Sequence, residues 1–370
     1  MGVADLADYP WDAVAPYAER ARSHPDGIVD LSIGSPVDPT PGVVADALAA
    51  ATDAHAYPQT MGTPALRAAI VDWYARRRGV PGLTPSHVLP TVGSKELVAL
   101  LPLLLDLGPG DVVVHPRAAY PTYEVGARLV GATPFASDDP ADWPAETALV
   151  WLNSPGNPDG RVLDAAFLRS AVARARELGA VVASDECYAE LGWDAPWDAE
   201  RIPSVLDPRV VGGDLQGVLS VYSLSKQSNL AGYRAAFLAG DPALVTRLLT
   251  GRKHLGLMLP APVQRAMAAA LADDAHVTAQ KDLYRARREI LKPAVEAAGF
   301  RIDDSEAGLY LWATEGRDAW ESLGRLADLG ILAGPGHFYG THFPQHIRLS
   351  LTATDDRIAA AARRLTGAQI

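Results

Sequence analysis

Five short apolar runs recur through the middle of the chain, and three of them end in polar segments rich in reactive side chains. The runs are DVVVHP (111–116), TALVWLNSP (147–155), AVVASDE (180–186), GVLSVYS (217–223) and AAFLAG (235–240). Each has the length of a buried strand. Helical patterns lie between several of them, such as DAAFLRSAVARARELG at 164–179 with Gly179 placed to cap its C-terminus. Strands alternating with helices predict an α/β fold, a mainly parallel sheet sandwiched by helices. In such sheets ligands bind beyond the carboxyl ends of the strands. Here NSPGNPDG follows 147–152, DECY follows 180–184 and SLSK follows 217–222, so three polar segments crowd one end of the sheet.

At 370 residues the chain exceeds what a single core usually supports. From about residue 242 the pattern turns strongly helical, then strand-like at GLYLWAT (308–314) and HIRLSL (346–351). The expected organisation is a large α/β domain over 43–250 and a smaller α+β domain built from 1–42 plus 251–370.

Composition excludes several classes of function. A net charge of −11 offers nucleic acid and anionic membranes little attraction. A single cysteine, Cys187, rules out an intramolecular disulfide framework and Cys-rich metal centres. His342 and His346 are four apart but Pro344 lies between them, so no metal site is expected. The longest apolar stretch, 97–107, is too short to span a bilayer. The segment before Arg20 carries acids and no base, unlike a signal or transit peptide, so a cytoplasmic location is expected.

Lysine is scarce: Lys95, Lys226, Lys253, Lys281 and Lys292 are the only five among 33 basic residues. Lys226 ends a buried strand, and a lysine, unlike an arginine, can lose its proton and act as a nucleophile. Ser223 and Lys226 also fit the S-x-x-K of serine β-lactamases, but no lysine is followed by Thr and neither Ser184-Asp185 nor Ser137-Asp138 is followed by Asn. Phosphate-loop, dinucleotide-binding, nucleophile-elbow and zinc-protease motifs are missing from the sequence. Schiff-base chemistry with pyridoxal phosphate remains.

Ser223-Leu-Ser-Lys226 followed by Gly232-Tyr-Arg234 resembles the lysine motif of fold-type I aminotransferases of class I/II. Gly34-Ser-Pro36, Tyr57, Gly62, Leu66-Arg67, Gly93-Ser-Lys95, Tyr120-Pro121, the 153–160 segment NSPGNPDG, Asp185-Glu-Cys-Tyr188 and Arg348-Leu-Ser fall in that family's order. The resemblance implies a role for each. Lys226 would bond the cofactor and then shuttle protons, and Asp185 would pair with its pyridine nitrogen. Asn157 and Tyr188 would hold the ring's 3′-oxygen, and Tyr120 would stack on the ring. Ser94, Lys95, Ser223 and Arg234 would bind the phosphate, with Tyr57 arriving from the neighbouring subunit of a homodimer. Arg348 would grip the substrate α-carboxylate, with Asn157 beside it and Gly34 leaving room. Ser154 and Asp159 depart from the family pattern, which commonly has Pro and Thr there.

The stretches YPWDAVAPYAERARSHPDGIVDLSIGSPVDPTP, SDECYAELGW, GRKHLGLMLPAPVQ and GLYLWAT look most like N-succinyldiaminopimelate aminotransferases. That likeness implies amino transfer between L-glutamate and N-succinyl-2-amino-6-oxopimelate, in lysine and diaminopimelate biosynthesis. Such an acceptor carries distal carboxylates, and Lys253, within Arg252-Lys253-His254, is the candidate to meet one. Within the class, aromatic, histidinol-phosphate and LL-diaminopimelate aminotransferases remain open. A carbon–sulfur lyase would use the same residues without an acceptor. A non-catalytic regulator would need a DNA-binding domain, which the motifs beginning at residue 34 leave little room for.

Overall fold

The computed structural model describes residues 10–367. A seven-stranded sheet forms its centre, in the order Val88–Val92, Ala235–Gly240, Val218–Ser223, Val181–Asp185, Thr147–Asn153, Val112–His115, Thr133–Ala136. The last five run parallel, and Ala235–Gly240 is antiparallel to both its neighbours. All five expected strands are present. The two that the apolar pattern did not show, VLPTV and TPFA, are the two edge strands, and each carries a proline, Pro90 and Pro134. Proline lacks the N–H that a central strand needs on both sides, so an edge is where a sheet accepts it.

Helices cover both faces. Leu66, Ile70 and Trp73, with Leu168 and Val172, pack on one face against Val150, Val182 and Phe237. Leu97, Val98 and Leu101, with Tyr123 and Leu248, pack on the other against Leu149, Trp151 and Leu219. The 164–179 prediction becomes the helix Ala165–Leu178, where the Asp164 carboxylate accepts from the Phe167 N–H at 2.7 Å and caps the first turn.

A second, antiparallel sheet orders Gly334–Pro335, His346–Ser350, Tyr310–Thr314 and Arg301–Asp303. Its core joins Leu309, Leu311, Ile347 and Leu349 to Leu291, Val295, Leu323 and Leu365 from the helices Ala275–Ala297, Ala319–Asp328 and Asp355–Gly367. The helix Ala261–Ala272 lies with the large sheet instead: Val263, Ala266 and Met267 share the core of Trp73 and Phe237. We therefore propose that the larger unit extends past residue 250 to about this helix.

Candidate active site

Asn153 and Asp185 are paired across adjacent parallel strands at their carboxyl ends, and Asp185 is in register with Val221 on the next strand. The sheet register thus gathers the three polar segments, as the pattern predicts.

Asp185 is buried among neutral donors. The Cys187 thiol, the Cys187 N–H at 3.2 Å and the Tyr123 hydroxyl at 3.0 Å reach its carboxyl. Burial holds its pKa above the usual carboxylate range, against the pull of those donors. A carboxyl in this state gains most from a cationic N–H brought to it, which a protonated pyridine supplies.

Lys226 lies on the short helix Leu224–Gln227, capped by the Ser223 hydroxyl, which accepts from the Ser225 N–H at 3.1 Å. Its ammonium donates to the Gly34 carbonyl. Burial lowers the lysine's pKa; Tyr310 opposes the fall, and the nearby Arg348 and Arg234 add to it. An amine so placed gives up its proton more readily than one in water.

Beyond the strand Val88–Val92, Gly93 turns the chain at φ 79° into the helix Ser94–Leu104. The Arg234 guanidinium lies against Gly93, where a side chain would collide with it, and the Gly93 N–H donates to the Arg234 carbonyl at 2.7 Å. Arg234 itself adopts φ 56°, which aims its side chain back over this turn. A free helix N-terminus beside a guanidinium is suited to a phosphate. Ser94 lies at this turn, and Lys95, next to it, is exposed.

At the other end of the cleft Arg348 is 4% exposed. It donates to the Asn157 Oδ1 at 2.8 Å and to the Ser32 carbonyl at 2.7 Å, while its Nε has no partner. Aromatic rings enclose it: Tyr310 at 4.0 Å, Tyr339 at 4.9 Å and Trp11 at 5.7 Å from the guanidinium carbon. Both acceptors are neutral, so the cation is desolvated without a resident counter-ion. A cation in this state is suited to receive a carboxylate.

Asn157 sits in a loop pinned by Asn153, whose Oδ1 accepts from the Asn157 N–H at 2.8 Å and whose Nδ2 donates to the Asp185 carbonyl at 2.9 Å. The unusual Ser154 fits here, its hydroxyl accepting from the Leu163 N–H at 2.9 Å. Tyr188 and Tyr310 share a hydrogen bond between their hydroxyls at 3.2 Å. Tyr120 packs edge-on against Tyr123, 5.9 Å between centroids.

Contacts thus link Lys226 to Gly34, Asn157 to Arg348 and, through Tyr310, Tyr188 to Gly34 and Arg348; Arg234 meets Gly93 beside Ser94, Ser223 caps the helix of Lys226, and Tyr120 meets Tyr123, which bonds Asp185. Tyr57 does not join them within the chain, being 93% exposed. Lys253 is exposed on the last turn of the helix Pro242–His254, whereas its neighbour Arg252 is fully buried and clamped to Glu96. Tyr310, Tyr339, Trp11, Ser32 and Tyr123 complete the site and were not singled out from the sequence. Gly34 held the one available signal for Tyr310. A Cβ there would lie 2.8 Å from the tyrosine's Cζ, so this glycine exists to admit that ring.

The model of the family described as aminotransferase class I and II matches residues 26–365. The chain belongs to this family. The aminotransferase is 56% identical over 363 residues to the 4-dedimethylamino-4-oxo-anhydrotetracycline transaminase of Streptomyces rimosus, covering 98% of this chain and 99% of that one. It is 54% identical to a probable aminotransferase of Mycobacterium tuberculosis, covering 98% and 86% of the two chains. Its fold matches a probable N-succinyldiaminopimelate aminotransferase from Thermus thermophilus at a TM-score of 0.87, with 29% identity, covering 97% and 100%. The aminotransferase is a pyridoxal-phosphate-dependent transaminase with the type I fold. A buried acid, a lysine of lowered pKa and a helix N-terminus beside a guanidinium fit that cofactor's pyridine, aldehyde and phosphate.

Proposed function

We propose that this enzyme transfers an amino group between L-glutamate and N-succinyl-2-amino-6-oxopimelate, in the route to diaminopimelate and lysine. One observation carries the amino acid part: Arg348, buried and without a resident carboxylate, stands beside the lowered amine of Lys226. The likeness of fold to the Thermus thermophilus protein supports the succinylated acceptor.

In this reading Arg348 binds the substrate α-carboxylate and Asn157 keeps the guanidinium turned toward it. Pyridoxal phosphate, when bound, supplies an aldehyde to carry the amino group and a ring to delocalise the electron pair left at the substrate Cα. Asp185 would hold the pyridine N–H, Asn157 and Tyr188 would hold the 3′-oxygen, and Tyr120 would pack on the ring. Ser94, Lys95, Ser223 and Arg234 would hold the phosphate. Lys226, when unprotonated, would take the proton from the substrate Cα onto its Nζ and give it up on the far side of the transferred nitrogen. The aromatic walls exclude water from that exchange.

Tyr57 and the exposed apolar side chains Ile33, Val37, Val43 and Met61 suit a homodimer in which each chain's Tyr57 reaches the neighbouring subunit's phosphate. Lys253 then serves as the cation for a distal carboxylate. A cytoplasmic location goes with this role.

A second acceptor has specific support. The Streptomyces rimosus relative is named for a polycyclic oxo compound, and the Arg348 guanidinium is walled by the rings of Tyr310, Tyr339 and Trp11. Absorbance spectra of the holoenzyme separate the two. L-Glutamate should bleach the cofactor band, and the succinylated oxo acid should restore it. Restoration by a polycyclic ketone and not by the oxo acid would overturn the first acceptor. A band unmoved by any α-amino acid would overturn amino transfer through Arg348.

A further inference from the structure

Tyr310 touches Arg348, Gly34 and Tyr188, yet the transfer as described gives it no part beyond that of a wall. It opens the strand Tyr310–Thr314, paired with Ser350 and one pleat away from the Trp312–Arg348 pair. Tyr310 and Arg348 are therefore diagonal neighbours on one face of the sheet, within reach for a long side chain. The result is a guanidinium 4.0 Å above the phenol ring. The ring also presses on Gly34, whose carbonyl receives the Lys226 ammonium. Its hydroxyl meets that of Tyr188 at 3.2 Å. Burial raises the Tyr188 phenol well above its ordinary range, while at Tyr310 burial is outweighed by the charges of Arg348 and Lys226, which hold it below its own.

We propose that Tyr310 is a positioning residue with two separable parts: its ring sets the plane of the Arg348 guanidinium for the substrate carboxylate, and its hydroxyl orients the phenol of Tyr188. The inference rests on Arg348 being the carboxylate receptor. A cation held face-on to a desolvated ring is strongly oriented, and orientation is what a two-pronged carboxylate contact requires. A phenol whose hydroxyl meets a fixed hydrogen-bonding partner has one direction settled, whichever of the two donates.

The two parts predict different kinetic signatures. Glutarate, a dicarboxylic acid with no amino group, serves as a non-reacting probe of the receptor, its affinity for the holoenzyme measured by calorimetry. Tyr310→Phe keeps the ring and should bind glutarate within about twofold of the unmodified enzyme, while kcat with L-glutamate falls about tenfold. Tyr310→Leu removes both parts and should weaken glutarate about tenfold in addition. Gly34→Ala, which leaves Tyr310 in place but displaces its ring, should weaken glutarate in the same direction and serves if the leucine variant does not fold. Glutarate binding unchanged from the unmodified enzyme in both Tyr310→Leu and Gly34→Ala would overturn the ring's part. An unchanged kcat in Tyr310→Phe would overturn the hydroxyl's part. Arg348→Ala is the control for the premise: if it leaves glutarate binding intact, the receptor itself has been misplaced. If it abolishes binding while the Tyr310 variants behave as the unmodified enzyme, the inference about Tyr310 alone fails.

Discussion

Arg252 and Arg348 are both buried guanidinium groups, and they differ in what meets them. Arg252 is matched by a resident carboxylate: Nη1 and Nη2 donate to the two oxygens of Glu96 at 2.6 and 3.1 Å. Arg348 meets an amide oxygen, a backbone carbonyl and three aromatic rings. Burying a cation is costly, and a resident anion offsets the cost within the fold. Without one, the offset must come from a ligand. Arg78 with Glu186, and Arg287 with Asp38, follow the Arg252 pattern. A buried arginine lacking its carboxylate is thus a sign of function, and one possessing it is a sign of architecture.

The largest expected effect separates these two kinds. Arg348→Ala should reduce kcat/KM for L-glutamate by about a thousandfold, on the order of 4 kcal/mol of transition-state binding. Stability should stay level or rise, because an uncompensated buried charge has been removed. Steady-state kinetics and urea denaturation of one preparation test both halves. A marked loss of stability would return Arg348 to the architectural class.

Arg252→Ala should do the reverse. It strands Glu96, which also accepts the Val92 N–H at 3.2 Å just before the helix that opens the phosphate end. Removing one partner of a buried pair costs about 3 kcal/mol or more. The urea midpoint should fall accordingly, while KM for L-glutamate stays near its original value. Glu96→Gln, which keeps the shape and loses the charge, should show the same direction with a smaller loss. A KM that rose as steeply as in Arg348→Ala would erase the distinction between the two arginines.

This contrast also marks where the sequence was legible. The strands, their polar ends and the nucleophilic lysine follow from local patterns: apolar runs of strand length, a helix capped by Asp164, a lysine where arginine is otherwise preferred. Arg252 and Lys253 are adjacent in sequence, and nothing local says that one is buried against Glu96 and the other exposed. That depends on a contact between residues 96 and 252, far apart in the chain. Pro90 and Pro134 hid two strands because proline argues against a strand interior, and only the sheet order reveals that both are edges. Tyr310 was hidden for the same kind of reason. In GLYLWAT it reads as one more buried aromatic, and its bearing on the site comes from the register with Ser350 and the approach to Gly34.

The smallest expected effect extends the comparison to acids. Glu96 has a resident cation, whereas Asp159, in the loop beside Asn157, has a backbone N–H from Arg161 at 3.3 Å. Burial pushes its carboxyl up to about 7; that N–H opposes the rise, and Asp304 and Asp138 add to it. The folded-state value thus lies above the ordinary carboxylate value of the unfolded chain, near 3.9. Folding then favours the protonated form, so the contribution to stability is complete below about pH 4 and is lost as pH rises through about 7. Asp159→Asn retains the shape and the acceptor for the Arg161 N–H but does not titrate. Both proteins share every other ionisable group, so their difference in stability isolates this one. Unmodified enzyme should lose about 1 to 2 kcal/mol relative to the variant between pH 4 and pH 8, as read from urea denaturation at each pH. A difference that stayed flat across that range would mean that Asp159 is as well compensated as Glu96, and a missing counter-ion would then mark a receptor only among the cations of this fold.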